Sequence, residues 1–477
     1  MKGGRLISTA LLAGLALRAA PALGQEGGFR AEVRREKERV AESCGEFALK
    51  TFLSCPQRLV TDHPFHVALG SLAPGNGFAI GGAFVKNDSL DEDWRIGYSA
   101  DAVRSFRGAW RAGAYIRAVR TAVEAPVPVF PGSGGADAGG TGVGIHPYPV
   151  GNLYVQTITL PSVGFYGLGG DTPRDAQTIF GMRQHIIGAN VVVPITRIGP
   201  LSRLNLALLG EVNGRYINIE EPGLDDAPSI STRFTDASAP GLTRQPGFAQ
   251  FGEGIRIRPS LIRNRLRLNY LARFQQYVAP DDSSLSFRRW TLDLEHDVPI
   301  YRNSSRPRAL DTNGPNECST GPMSDTCPPV SVSSNRSGTF GFRLMVSRSG
   351  VSNGGSVPFY FQHTLGGDDI NGSKSLASYD DYRFRGPHVL LLQESLEHSI
   401  WGPFGLWLAA DQGKVALQDQ KLDFTSLRKS YALGLTVRAG GAPQALFVFA
   451  TGGPEGNHFA VTVTTSLLGG SARPSLH

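Results

Sequence analysis

The segment WRIGYSADA (94–102) sets Trp94, Ile96, Tyr98, Ala100 and Ala102 against Arg95, Gly97, Ser99 and Asp101. Successive side chains of a β-strand point to opposite faces, so one face here is apolar throughout and the other carries charge. LRLNYLARFQ (266–275) repeats the pattern, with Leu266, Leu268, Tyr270, Ala272 and Phe274 opposed to Arg267, Asn269, Leu271, Arg273 and Gln275. LNLALLGEVN (204–213) repeats it once more. Charge recurring on one face of a long strand needs water, and a continuous apolar face needs either a packed layer or lipid. After residue 60 no convincing amphipathic helix offers itself as that layer. The pattern therefore predicts an all-β chain folded as a transmembrane antiparallel β-barrel.

About sixteen such segments are legible, near 77–86, 93–105, 109–121, 152–163, 175–195, 203–218, 247–258, 264–278, 284–298, 336–349, 357–365, 388–400, 404–416, 428–439, 444–452 and 457–468. An even number suits a closed antiparallel barrel. Closure matters because an open sheet edge in lipid leaves backbone groups unpaired at several kcal/mol each. The long connections 122–151 and 219–246 are separated by three of these strands, which sends them to opposite ends. Long loops normally share one end, which points to a miscounted strand within 175–195.

The N-terminus has Lys2 and Arg5, the apolar run Leu6 to Leu17, and then Pro21-Ala22-Leu23-Gly24. This is the pattern of a secretory signal peptide over residues 1–24. Its apolar run is too short for a membrane anchor, which takes about twenty residues. Residues 25–75 read as a periplasmic N-terminal segment in which Val33, Val40, Phe47 and Leu49 allow a short helix at best. That segment is either a solvated turn at the barrel mouth or a plug entering the lumen. Residues 76–468 form the predicted barrel and 469–477 a tail.

The 477 residues include 59 Gly, 25 Phe and 13 Tyr and are 41% hydrophobic, a composition that admits a soluble sandwich as well as a membrane barrel. Only the strand pattern separates the two. The net charge of +6 is assigned to lumen and rim arginines such as Arg111, Arg117, Arg267, Arg273 and Arg343. These would meet water, lumen carboxylates and the phosphates of outer-membrane lipid and lipopolysaccharide, with no nucleic acid as partner. A basic lumen also favours anionic solutes by field focusing.

Four cysteines fall into two local pairs, Cys44 with Cys55 and Cys318 with Cys327. In an exported chain they read as two small disulfide loops, each contributing about 2–3 kcal/mol by chain entropy. No His or Cys at zinc-like spacing accompanies either pair, so no metal is expected. There is no G-x-S-x-G elbow, H-E-x-x-H pair, Walker loop or Rossmann fingerprint. The chain is accordingly expected to be neither an enzyme nor a cofactor binder.

The stretch FYFQHTLGGDDINGSKSLASYDDYRFRGPHVLLLQESLEHSIWGPFGLWLAADQGKVA (359–416) resembles the C-terminal barrel of the BamA/TamA family of outer-membrane assembly proteins, also known as the bacterial surface antigen barrel. In that family a Gly-Gly segment ends the eleventh strand, and a long extracellular loop then folds back into the lumen carrying an L-R-G-F/Y motif. Leu365-Gly366-Gly367 ends the eleventh predicted strand here, and five strands follow. The next two family strands carry a Glu and an F-x-D-x-G pattern, matched by Glu397 and by Asp411 with Gly413. The resemblance implies a latch in which the loop arginine pairs with a carboxylate of the lumen wall.

The chain departs from the family pattern at the motif itself, where Leu376-Ala377-Ser378-Tyr379 has neither the Arg nor the Gly. Tyr382-Arg383-Phe384-Arg385-Gly386 follows closely, so Arg383 or Arg385 is expected to meet Glu397 and Asp411. About fifty residues precede the barrel, too few for one of the family's POTRA domains, and the last strand lacks the usual terminal aromatic. The resemblance thus implies an outer-membrane barrel without POTRA domains, working in insertion or translocation of proteins or lipids. A periplasmic partner and unfolded outer-membrane clients would go with that role. A diffusion pore and a surface adhesin are the alternatives.

Overall fold

The computed structural model describes residues 65–91, 93–120, 149–195, 204–261, 266–303, 336–352, 354–401, 404–439, 442–453, 455, 457–463 and 474. The segments read from the sequence as a signal peptide and a short helix, and all four cysteines, lie outside them. Residues Met1–His66 and Val67–His477 are two units, and all the strands but the first two residues of the first one lie in the second.

The strands are β1 (Phe65–Ser71), β2 (Phe78–Ser89), β3 (Trp94–Ser105), β4 (Trp110–Arg120), β5 (Val150–Phe165), β6 (Thr178–Ile195), β7 (Leu206–Glu220), β8 (Phe248–Ile257), β9 (Ser260–Leu261), β10 (Leu266–Val278), β11 (Phe287–Asn303), β12 (Arg336–Val351), β13 (His363–Leu365), β14 (Phe384–Gly386), β15 (His388–Trp401), β16 (Phe404–Ala416), β17 (Arg428–Ala439), β18 (Ala442–Thr451) and β19 (His458–Val463). Leaving out the short β9, β13 and β14, sixteen strands remain among the described residues. They form one sheet in which β2 to β8, β10 to β12 and β15 to β19 pair antiparallel with their neighbours, and β1 pairs with β2.

Two sequence expectations are corrected here. Residues 357–365 are not a wall strand but a 3-10 turn, Phe359–Phe361, followed by the three-residue β13. The first strand lies earlier, at β1, inside the segment assigned to the periplasm as 25–75. The two errors cancel in the count. The suspected miscount within 175–195 is also corrected, since β6 is a single strand of 18 residues. The connections after β4 and after β7 therefore do leave opposite ends of the sheet.

Alternation sets the two faces apart. Along β5, Leu153 and Val155 are 56% and 47% exposed, whereas Tyr154 and Gln156 between and beyond them are 3% and 2% exposed. Ile187, Leu208, Val212, Phe251, Leu433 and Phe449 continue the exposed apolar face around the sheet. So large an apolar outer surface is stable only against lipid. The opposite face carries a polar network. Arg111 donates to Asp101 at 2.9 Å, Tyr115 to Gln156 at 2.8 Å and Tyr154 to Glu211 at 3.1 Å.

The sheet curls around this polar face. One buried cluster joins Leu160 and Phe165 of β5, Phe180 of β6, Ile217 of β7, Phe248 of β8, Tyr277 of β10 and Phe287 of β11, and it includes Ala73, Ala109 and Phe359 to Phe361. Only a strongly curved wall brings so many strands onto one plug. Replacing the outward Leu208 by Arg puts a guanidinium into the lipid-facing belt, and the expected loss is about 2–4 kcal/mol. Reversible urea unfolding in lipid vesicles measures it; an unchanged midpoint would mean that this face does not meet hydrocarbon.

Candidate functional site: the segment fastened inside the barrel

Between β12 and β15 the chain makes a compact inserted segment, residues 357–386. Its entrance is aromatic. Phe359 and Phe361 have no exposed surface and Tyr360 has 4%. Phe359 meets Phe165 and Phe180 edge-on at 5.2 and 5.1 Å, and Phe361 meets Phe248 at 4.9 Å. Burying each Phe stabilises the insertion by about 1.5–3 kcal/mol, enough to make withdrawal of the wedge costly.

The segment then forms a small hairpin, with His363 opposite Gly386, Thr364 opposite Arg385 and Leu365 opposite Phe384. Gly366 and Gly367 begin its tip at φ values of 103° and 57°. A Cβ on Gly367 would lie 2.8 Å from Asp381 Cα, so both the left-handed backbone and the close approach require glycine. Leu376 and Tyr382 also have positive φ, 46° and 60°. That conformation costs a side-chain-bearing residue about 1–2 kcal/mol, and it persists here because both residues are fully packed.

The tip rests on the strands that the sequence singled out, although the contacts are different. Asp411 accepts a hydrogen bond from the backbone N–H of Leu376 at 2.8 Å and from Gln393 at 3.2 Å. Gln393 accepts in turn from Arg343, which holds Asp293 through two bonds of 2.7 and 2.8 Å. The expected guanidinium on Asp411 is thus replaced by a main-chain amide. The tip needs no arginine at this point, and Ala377 packs instead beside Val448 and Ala450. Gly413 brings the hairpin close to β16, where a Cβ would sit 3.0 Å from Leu365. A Cβ on Gly386 would likewise sit 3.1 Å from Val415 Cβ.

Neither loop arginine reaches Glu397 or Asp411, which corrects the expected latch. Glu397 faces Thr339 and Trp407 in the register, nine positions along β15 from His388. That is about 30 Å of strand. Arg383 turns the other way. Its Nε donates to both Glu455 oxygens at 2.9 and 2.8 Å, and its Nη2 lies 2.7 Å from Glu455 Oε1. The remaining donors reach Thr172, Nη1 to Oγ1 at 2.9 Å and Nη2 to the carbonyl at 2.6 Å. The guanidinium lies against the Tyr166 and Phe384 rings, 5.0 and 4.7 Å from their centroids. Side-chain exposure is 3% for Arg383 and 14% for Glu455, so the pair is shielded from water.

Arg174 makes a second clamp in the reverse direction. It lies in the β5–β6 connection and holds Asp380 of the inserted segment through bonds of 2.8 and 3.0 Å. Its Nη1 also reaches the Glu455 carbonyl at 3.3 Å. The backbone N–H of Gly169 donates to the Arg385 carbonyl at 2.7 Å. Arg428 of β17 adds bonds to the Gly170 carbonyl and Asp171. Arg385 itself is buried and, among the described residues, bonds carbonyls alone, Phe359 at 3.0 Å and Gly164 at 3.4 Å. Three connections, after β5, β12 and β18, are therefore stapled together. Sequence reasoning missed Arg174, Asp380 and Glu455; the only available signal was a lone carboxylate in the turn GGPEG (452–456).

Three outcomes follow from this geometry. Arg383→Ala leaves Glu455 without its buried partner and should cost about 3–5 kcal/mol of fastening, with the Arg383→Ala/Glu455→Ala pair costing less than the two single changes summed. Native-state proteolysis of the segment across a urea series reads both. Asp411→Ala orphans the Leu376 N–H and should cost about 1–3 kcal/mol in the same assay, while leaving the barrel's gel mobility intact.

The third outcome concerns pH. Burial raises the Asp381 carboxyl above its ordinary value, opposed by the hydrogen bond from the Asp368 N–H. A raised acid pKa stabilises the folded segment while the group is protonated, and that stabilisation is lost as pH climbs from the ordinary carboxylate range through the raised value. Protease protection should therefore fall with rising pH across that window. Asp381→Asn, which keeps the acceptor, should flatten the profile; a wild-type profile that is already flat would contradict this.

No protein-family model matches the chain, and no curated protein matches it in sequence. Among solved structures it is similar to CdiB from Acinetobacter baumannii, at 10% identity over 84% of this chain and 59% of that one, with a TM-score of 0.46. It is similar to CdiB from Escherichia coli at 13% identity over 84% and 62%, with a TM-score of 0.47. Similarity to BamA from Haemophilus ducreyi lacking POTRA domains 1–3 is 9% in identity over 84% and 69%, with a TM-score of 0.46. The chain thus spans about three-fifths of the length of both CdiB structures.

Proposed function

We propose that this chain is a plugged outer-membrane barrel of the BamA/TamA kind, which acts in inserting or translocating proteins or lipids rather than as an open pore. One observation carries the reading: the segment 357–386 fills one end of the barrel and is fastened there by Arg383 and Arg174 to Glu455, Thr172 and Asp380. A diffusion pore works through a clear lumen, and a wedge of buried aromatics with two charge clamps obstructs it. The apolar outer face supports a place in a membrane, and the signal peptide pattern supports the outer one. Outer-leaflet lipid and lipopolysaccharide, unfolded client chains and a periplasmic partner are the partners that go with this role.

Single-channel recording of the purified, refolded protein in a planar bilayer tests the reading. Small, flickering currents that grow severalfold in Arg174→Ala/Arg383→Ala are expected. Large, steady currents unaffected by that pair of changes would make the protein a pore and would overturn the proposal.

A further inference from the structure

One carboxylate of β8 faces the lipid. Ala249, Phe251, Ile255 and Ile257 alternate outward with Glu253 in the middle of their row, while Phe248 and Gln250 are buried on the opposite face. Glu253 stands opposite Gly210 of β7 and Phe274 of β10. Gly210 in turn lies near the middle of the outward row that runs from Leu206 to Tyr216. Leu208, Val212, Phe251 and Ile255, all exposed, surround the position. Glu253 is itself exposed, and among the described residues no hydrogen bond or ion pair reaches its side chain. A strand of this length spans the hydrocarbon layer, so the carboxylate sits near mid-depth, where an ionisable group is costly and marks a functional position.

The wall is also indented here. Ala189 and Gly210 carry too little side chain to fill the space between Val191 and Phe274, and a groove of about 540 Å³ remains. Gln276, opposite Phe251, adds an amide to its lining, and Trp290 stands beside it with its ring 4.4 Å from that of Phe274. An occupant has to fill an apolar slot and bring a positive charge to its centre. Acyl chains bring only hydrocarbon to that depth. The outward lysines and arginines among the described residues, such as Arg288, Lys414 and Lys429 at one end and Lys86 and Arg120 at the other, stand toward the strand ends. A second copy of the chain therefore offers no cation at this level. A membrane-spanning segment of another protein meets both demands, since its apolar surface replaces lipid in the groove and a basic side chain pairs with the carboxylate in a medium of low dielectric.

We propose that the groove around Glu253 docks a membrane-spanning segment of a partner protein that presents a lysine or arginine at mid-membrane depth. Glu394 supplies the comparison. It is exposed at the outward centre of β15, opposite Phe342 and Ala410, but lies outside the groove. The indentation, not the charge alone, distinguishes Glu253.

A synthetic membrane-spanning peptide of about twenty leucine and alanine residues with one central lysine is the probe. Energy transfer from the tryptophans of the full chain in lipid vesicles to a dansyl group on the peptide reads its binding, because Trp290 stands beside the groove. Saturable transfer is expected, severalfold weaker in Glu253→Gln, unchanged in Glu394→Gln and absent for the same peptide with a central leucine. Without peptide, Glu253→Leu should raise the urea midpoint, since a carboxylate no longer faces hydrocarbon. Equal binding of the two peptides, undiminished binding by Glu253→Gln, an equal loss in Glu394→Gln, or a midpoint that does not rise in Glu253→Leu would each overturn the proposal. Loss of peptide binding with small channel currents would leave the proposed function standing, whereas large steady currents with peptide binding intact would overturn that function alone.

Discussion

The shielded charge pair between Arg383 and Glu455 is the contact on which the arrangement of the inserted segment depends. Arg383 uses all its polar nitrogens on two neighbouring connections, so a single planar group fixes the hairpin β13–β14 against the turns after β5 and after β18. A lysine could supply the charge but not the forked geometry. Arg174 returns the contact from the opposite side, onto Asp380. With both in place the tip has one position available, and the left-handed backbone at Leu376 and Tyr382 can be borne by packing rather than by flexibility.

The wall supplies the other half of the constraint. Outward side chains meet lipid and inward ones meet a polar lumen, so the wedge of Phe359, Tyr360 and Phe361 finds its apolar surroundings only at the end where β5, β6, β8, β10 and β11 turn aromatic residues inward. The carboxylate of Asp411 then takes the Leu376 amide, which anchors the far side of the tip to β16. Closing the barrel end thus draws on hydrophobic burial on one side and on hydrogen bonds to charged groups on the other.

Most of the wall was legible in the sequence because alternation is a strong signal when one face meets lipid. Trp94 to Ala102 and Leu266 to Gln275 are strands in the structure with the predicted faces. The signal failed where its physical basis was absent. In VPFYFQHTL (357–365) the aromatics are buried on all sides as a wedge, so a composition that favours strands no longer reports one. FHVALGS (65–71) is a strand whose buried residues Ala68 and Gly70 are small, so its alternation was faint. The loop arginines were legible as candidates, and Arg383 does fasten the segment. Its partner was not legible, because Glu455 lies 72 residues away in a glycine-rich turn and only the curvature of the sheet brings the two together.

In the inserted segment the amide of Leu376 is buried against Asp411 of β16 and that of Ser378 against Ser430 of β17. Hydrogen–deuterium exchange of the full chain in lipid nanodiscs, resolved over residues 362–387, measures this directly. The account predicts protection comparable to that of β15 and β16, persisting for hours. Exchange complete within seconds, with β15 and β16 still protected, would show the segment to be loose and would contradict the account.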